Sequence, residues 1–258
     1  MKLKKLVTAC ALMAVVASPM LMADTTLSAE QKKEVEQVVH DYLVKNPEVL
    51  VEVSQVLQQK QQKNVQQQAK SAIADNASQL FSGPLAVAGN PKGNVTMVEF
   101  FDYQCIHCKK MAPTIAGLIQ KDSNLRVVYK EFPIFGKSSE VASQAALAAG
   151  MQGKYMQMHD ALLKVEKRLD DQIVMNTAQS IGLDMTKLKK DMSSKEVTQV
   201  LDANRQLAEK MHLMGTPAFV IASTPAGLFN AKIEASFVPG AATEDVLQEL
   251  IKKASSNG

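Results

Sequence analysis

Thr96-Met-Val-Glu-Phe-Phe-Asp-Tyr-Gln-Cys-Ile-His-Cys-Lys109 is the stretch that decides the fold. Its first six residues form a short apolar run that reads as a buried strand. The run leads directly into Cys105-Ile-His-Cys108, and a helical pattern follows from Cys108 to Ile119 with Pro113 as a kink. Outward from this unit, Arg126 to Glu131 reads as a second strand and Phe132-Pro-Ile-Phe-Gly136 as a loop. Ser138 to about Leu213 is helical, broken near Gly153, Asp170 and Gly182. Ala218–Ala222 and Ile233–Val238 read as strands that could pair as a hairpin, and Thr243–Lys253 as a closing helix. Strands alternating with helices over residues 83–258 predict one compact α/β domain.

Composition agrees with a globular protein. Hydrophobic residues make up 46% of the 258 and charged residues 21%, which excludes a disordered tail, a collagen-like fibre and a polytopic membrane protein. The 29 basic residues include Lys2, Lys4 and Lys5, so the rest of the chain balances its 26 acidic residues. Nothing global therefore attracts nucleic acid, and no nucleic-acid partner is expected.

Residues 1–23 read as a secretory signal peptide: a basic start, an apolar or small run from Leu6 to Ala23, and Leu21-Met-Ala23 as a cleavage site. Ser18-Pro19 argues against an uncleaved membrane anchor. Val7-Thr-Ala-Cys10 looks like a lipobox, but too few apolar residues precede it. The expectation is an exported, soluble mature chain that keeps only Cys105 and Cys108. A pair this close closes almost no loop, so it is a poor structural staple. A structural zinc wants four ligands. Of His40, His107, His159 and His212 only His107 is near, so no metal is expected.

Residues 24–82 differ from the rest. Ser28-Ala-Glu-Gln31 has the form of a capping box. Val35, Val38, Val39, Tyr42 and Leu43 form a helical stripe. Asn46-Pro47 starts a second helix with Val49, Leu50, Val53, Val56 and Leu57 on one face. Eight of the fourteen residues from Gln55 to Gln68 are glutamine, and a weaker stripe resumes at Val65, Ala69, Ala72, Ile73 and Leu80. These helices hold too few large apolar residues to fold alone. Their stripe packs on the same chain or on a second copy, and a repeated valine face favours a self-association arm over a polar stalk.

A C-x-x-C that opens a helix after a buried strand resembles the thioredoxin superfamily. Phe100 to Lys109 is similar to the active-site segment of the DsbA family of periplasmic thiol oxidoreductases. Glu99 stands where that family carries a buried acid, Gly215-Thr-Pro-Ala-Phe-Val220 resembles the cis-proline loop, and the helical block of about 138–213 resembles the family's insertion. The resemblance covers roughly residues 85–258; with the arm included, the chain is similar to the Com1-like, outer-membrane-labelled branch. It implies a thioredoxin fold with a helical insertion, preceded by a helical self-association segment. It also implies a redox-active Cys105–Cys108 pair with no other cofactor.

The residues carry the chemistry independently. Cys105 at a helix N-terminus gains from unpaired amides and the helix dipole, which favour a thiolate. It is expected to be the exposed attacking sulfur, with Cys108 buried and resolving. His107 can donate to the Cys105 sulfur or place positive charge beside it. A stabilised thiolate makes the disulfide form oxidising. Glu99 on an apolar strand reads as a proton shuttle for Cys108, because an unpaired buried carboxylate is otherwise costly. Pro217 is expected to be cis, placing the Thr216 backbone opposite Cys105. Ile106 stands where DsbA commonly has proline, leaving the potential open.

The resemblance implies oxidation of exported client proteins with cysteines in the periplasm, and a membrane redox partner of the DsbB or DsbD type. Thr216 matches the DsbC-type isomerases and, with the arm, argues for isomerisation. The expectation is a homodimer through residues 28–80 with both activities. Outer-membrane association, a surface-interaction protein that retains the fold, and a holdase chaperone are the alternatives.

Overall fold

The computed structural model describes residues 27–83, 85–225, 228 and 235–256. The signal-peptide reading of residues 1–23, and the start of the strand expected at Ile233, lie outside the described residues. The chain divides into two compact units, one ending at Leu57 and the other running from Gln58.

In the first unit, α1 spans Ala29–Lys45 and α2 begins at Glu48. The capping box forms: Ser28 Oγ accepts the Gln31 amide at 3.2 Å, and Gln31 Oε1 accepts the Ser28 amide at 2.9 Å. Both satisfy helix-end donors that otherwise need water. No residue of α1 is buried, and Val35, Val38, Val39, Tyr42, Leu50, Val53, Val56 and Leu57 are exposed.

In the second unit, the remainder of α2, to Asp75, is followed by α3 (Ala77–Leu80), β1 (Val87–Gly89), β2 (Val95–Phe101), α4 (Ile106–Lys121) and β3 (Leu125–Glu131). The helical block is α5 (Lys137–Gly150), α6 (Tyr155–Leu163), α7 (Asp171–Ser180), α8 (Met185–Met192) and α9 (Lys195–Lys210). Then come β4 (Ala218–Ser223), β5 (Ser236–Pro239) and α10 (Glu244–Ser256). Asp170, Asp184 and Ser194 cap α7, α8 and α9 with side-chain acceptors. The Ser194 break was not expected from sequence, since Ser-Ser alone is a weak stop signal.

The strands form one sheet in the order β1-β3-β2-β4-β5. β2 and β3 are parallel and the other pairs antiparallel. β1 was not read from the sequence: three residues are too few to show a period.

Central β2 is buried along its whole length, and alternation sends its side chains to two cores. Val95, Met97 and Phe101 pack with α4, α5, α6 and α10. Val98 and Phe100 pack with Ala69, Ala72 and Ile73 of α2, Leu80 of α3, and Leu207 and Ala208 of α9.

Ala69, Ala72, Ile73, Leu80 and Phe81 thus belong to that second core, the same-chain packing that the sequence left open for this stripe. Residues 69–81 do not wait for a second copy; together with α9 they cover this face of the chain's own sheet. Polar clasps add to the apolar burial. Gln66 Nε2 donates to the Phe237 carbonyl at 3.0 Å and Gln79 Nε2 to that of Ala203 at 3.1 Å. Lys130 Nζ donates to the Gln79 and Ser82 carbonyls at 2.8 and 2.6 Å. Each large buried side chain here contributes about 1.5–3 kcal/mol. The weak stripe read at Val65–Leu80 was the signal for this packing.

Candidate active site

The C-x-x-C loop leaves the end of β2 through Asp102, a fully buried residue. Its carboxylate accepts the Gln104 amide at 2.7 Å, the Ser139 hydroxyl at 2.7 Å, and the Ile134 and Phe135 amides at 2.7 and 3.1 Å. One side chain thus ties the active-site loop to the loop after β3 and to the start of α5. An acid immediately after a buried strand was the available signal, and the sequence reading passed over it.

The Cys105 amide donates to the Asp102 carbonyl at 3.1 Å, and the chain then enters α4 at Ile106, two residues earlier than the pattern predicted. Cys105 is the N-cap: its extended backbone points Sγ back at the first turn, where it accepts the Cys108 amide at 3.4 Å. The same sulfur lies 3.3 Å from the Thr216 carbonyl, to which a thiol there donates. The Thr216–Pro217 peptide is cis. The Thr216 hydroxyl is buried without a hydrogen-bond partner among the described residues.

Neither cysteine is exposed, which corrects the expectation for Cys105: it is 3% accessible and Cys108 1%. The reason is the cis-proline loop, whose Thr216 carbonyl lies against the attacking sulfur. The exposed large apolar side chains near it include Ile106, Phe135 and Met214. Beside the loop is a cavity of about 730 Å³, lined in part by Gln62, Val65 and Gln66 of α2 and by Met214, Thr216 and Pro217.

The two thiols differ sharply in acidity. The Cys105 thiol is lowered to about 5, first by the hydrogen bond from the Cys108 thiol. The nearby Thr216 side chain also lowers it, though its hydroxyl makes no hydrogen bond in this geometry, and the Cys108 and His107 backbone amides add to the effect, against burial. Cys108 is pushed far up by that same hydrogen bond, then by burial and by the Glu99 charge. One sulfur is thus poised as an anion and the other as a thiol.

His107 takes a different place from the one expected. It is exposed, and among the described residues its imidazole makes no hydrogen bond. What it brings to Cys105 is its backbone amide, because a residue in the first turn of a helix points its side chain outward and its N–H along the axis.

Glu99 is buried on β2, opposite Tyr129 of β3. Burial pushes its carboxyl well up, and the negative charges of Cys105 and Glu131 push it further. A second buried acid, Glu131, was not singled out from sequence because it ends a strand where polar residues are common. Its Oε1 accepts the Tyr103 and Tyr155 hydroxyls at 2.9 and 2.7 Å. The Tyr103 hydroxyl also lies 3.3 Å from His159 Nδ1. Burial holds the His159 imidazole down at about 3, so it is a neutral core residue.

No group of three or more His, Cys, Asp or Glu side chains among the described residues could hold a metal ion. No described helix is long and apolar enough to cross a membrane.

Residues 96–252 match the DSBA-like thioredoxin domain. The chain belongs to this family of thiol–disulfide oxidoreductases. Residues 31–64 match the N-terminal domain of copper resistance protein ScsC. Among solved structures, BcfH of Salmonella enterica Typhimurium is 34% identical, with a TM-score of 0.72 over 87% of this chain and 96% of that one. A thioredoxin-like oxidoreductase from Silicibacter pomeroyi is 39% identical, with a TM-score of 0.63 over 70% of this chain and 98% of that one. The thiol-disulfide exchange protein alpha-DsbA2 from Wolbachia pipientis is 25% identical, with a TM-score of 0.64 over 73% and 96%. The chain spans only 21% of the Na(+)/H(+) antiporter NhaA 1 of Salinispora arenicola, to which it is 28% identical over 137 residues.

Proposed function

We propose that this DsbA-like protein exchanges disulfides with cysteine-containing exported proteins in the periplasm, oxidising and isomerising them through Cys105 and Cys108. The observation that carries the reading is the Cys105 sulfur: it caps α4, accepts the Cys108 amide and sits 3.3 Å from the cis-proline loop's Thr216 carbonyl.

In oxidation, a client thiolate attacks Cys105 Sγ of the disulfide form. The Cys105–Cys108 bond breaks, a client–Cys105 disulfide forms, and Cys108 leaves as a thiolate. Glu99 gives that thiolate a proton. A second client thiolate then displaces Cys105, so the client loses two electrons and the pair gains them. In isomerisation, the Cys105 thiolate attacks a wrong client disulfide and frees one client thiolate; after the client rearranges, another client thiolate displaces Cys105, so neither client nor pair changes its electron count. Where an adduct stalls, Cys108 passes its proton to ionised Glu99 and displaces the client, which leaves reduced while the Cys105–Cys108 disulfide forms. Thr216 and Pro217 present the backbone edge against which an extended client segment lies. The partner-free Thr216 hydroxyl beside the sulfurs supports a role in tuning the mixed disulfide.

The exposed valine and tyrosine face of residues 28–57 supports self-association of the chain as a homodimer, with two thiol sites over one misfolded client. The match of residues 31–64 to a separately recognised N-terminal domain supports the same reading. A membrane redox partner of the DsbB or DsbD type resets the pair.

The test is reactivation of scrambled ribonuclease by the chain from Asp24, beside a form starting at Gln58 and a Cys105→Ser variant. The long chain should isomerise, the short one should only oxidise reduced substrate, and Cys105→Ser should do neither. Equal isomerisation by both lengths removes the arm's role. Activity that survives Cys105→Ser overturns the exchange reading in favour of a holdase.

A further inference from the structure

The buried group left without a task is Glu131. It is the last residue of β3 and pairs with Phe101, the last residue of β2. Its side chain therefore emerges where the C-x-x-C loop begins. Glu99 pairs with Tyr129 two residues earlier, so strand alternation puts both acids on the same face of the sheet as diagonal neighbours.

Four segments converge on Glu131. Tyr103, two residues before Cys105, and Tyr155, at the start of α6, both donate to Oε1. Asn204 Nδ2 of α9 donates to its backbone carbonyl at 3.1 Å. Among the described residues Oε2 has no partner at hydrogen-bond geometry, and the likewise unpartnered Ser143 hydroxyl of α5 is near enough to draw the Glu131 carboxyl down. The other titratable groups facing it are Asp102 on the loop, Glu99 on β2, Tyr129 on its own strand and His159 on α6. No cation is among them. A carboxylate there has two tyrosine donors and no counter-charge.

We propose that Glu131 is a positioning residue of the thiol centre: it anchors the active-site loop through Tyr103 and, by its charge, sets whether Glu99 can shed its proton. This rests on the thiol-exchange reading for its consequence but not for its test.

The chemistry is that of two like charges in one poorly solvated site. Burial lifts the Glu131 carboxyl to about 8, with Ser143, Tyr155 and Tyr103 drawing it back down. Below that pH it is neutral and adds no charge to the burial that already holds the Glu99 proton. Above it, the Glu131 charge opposes Glu99 ionisation, so the acceptor form of Glu99 becomes scarcer. Glu131 also bridges the helical insertion to the redox loop, so packing changes in α5 or α6 reach Glu99 through it.

The experiment is an infrared pH titration of the buried protonated-carboxyl bands in the reduced chain from Asp24, for the wild type, Glu131→Gln and Glu99→Gln. Glutamine keeps an acceptor for both tyrosines and removes the charge. In Glu131→Gln the Glu99 band should lose intensity at a pH lower by about one unit, a tenfold change in proton affinity. Glu99→Gln should leave the Glu131 midpoint nearly in place, because Glu131 ionises while Glu99 is still neutral. A Glu99 band that stays in place overturns the proposal, even if the variant melts earlier, since a merely structural role moves stability and not this titration.

If Glu131→Gln does not fold, Tyr155→Phe keeps both acids and removes one donor to Oε1. The Glu131 band should then move to higher pH, and an unmoved band overturns the proposal. No turnover enters the readout. Inert cysteines with shifted bands would count against the exchange reading alone.

Discussion

Removing the Cys108 sulfhydryl should raise the pKa of Cys105 by an amount the geometry sets. The Cys105 thiol lies at about 5, and the hydrogen bond from Cys108 is the largest cause. A hydrogen bond to a charged group contributes about 1.5–3 kcal/mol. At about 1.4 kcal/mol per unit, Cys108→Ala should move the midpoint up by roughly 1–2 units. It should stay below that of an ordinary thiol, because the α4 amides remain.

The assay is the pH dependence of iodoacetamide alkylation of the reduced chain. Midpoint, not rate, is diagnostic near neutrality. At pH 7 the wild-type sulfur is almost wholly thiolate against about 3% for a free cysteine, a gain of about thirtyfold. The fall in intrinsic nucleophilicity over 3.5 units, at a Brønsted slope of about 0.4–0.5, takes nearly all of it back.

The same shift has a stability consequence with a definite sign. The Cys105 value is lowered on folding, so its contribution to the reduced state is complete above the unfolded value. It is lost as pH falls through about 5. At pH 7 it amounts to about 1–3 kcal/mol, allowing for solvent screening at this half-buried sulfur. The reduced form should therefore gain on the oxidised form between about pH 5 and 8.5. A wild-type alkylation midpoint near 8.5, or one that Cys108→Ala leaves unmoved, would refute this account of the sulfur.

Ile73→Ala should destabilise the protein by about 2–5 kcal/mol in urea unfolding, because Ile73 is 1% exposed beneath the sheet, whereas Val53→Ala, at 57%, should change it by less than about 0.5. Equal effects would mean that residues 69–81 are not part of the domain core. Glu99→Gln should slow resolution of a Cys105 mixed disulfide by about a hundredfold, measured by quenched-flow trapping, and leave the first attack by Cys105 nearly unchanged. It should also raise stability at neutral pH: the folded-state Glu99 value is raised, so folding withholds an ionisation that the unfolded chain makes freely. Slowing of both steps alike would point to a distorted site rather than a lost proton acceptor.

What the sequence determined by itself was local. The buried strand, the C-x-x-C at a helix start, the acid six residues before it and the Gly-Thr-Pro before a strand are each visible as short patterns, because each depends on a few neighbours and one period. The capping box at Ser28 and the caps near Asp170 belong to the same class. The rest depends on packing between distant segments. Residues 69–81 join the core because a sheet has two faces, and the pattern of one stripe does not say which surface will cover it. His107 turns outward because helix geometry, not proximity in sequence, aims its ring. Cys105 is covered by a loop more than a hundred residues away. Glu131 and Asp102 became visible as buried acids only when β2, β3 and the insertion closed around them, since desolvation is a property of the assembled interior and not of any segment.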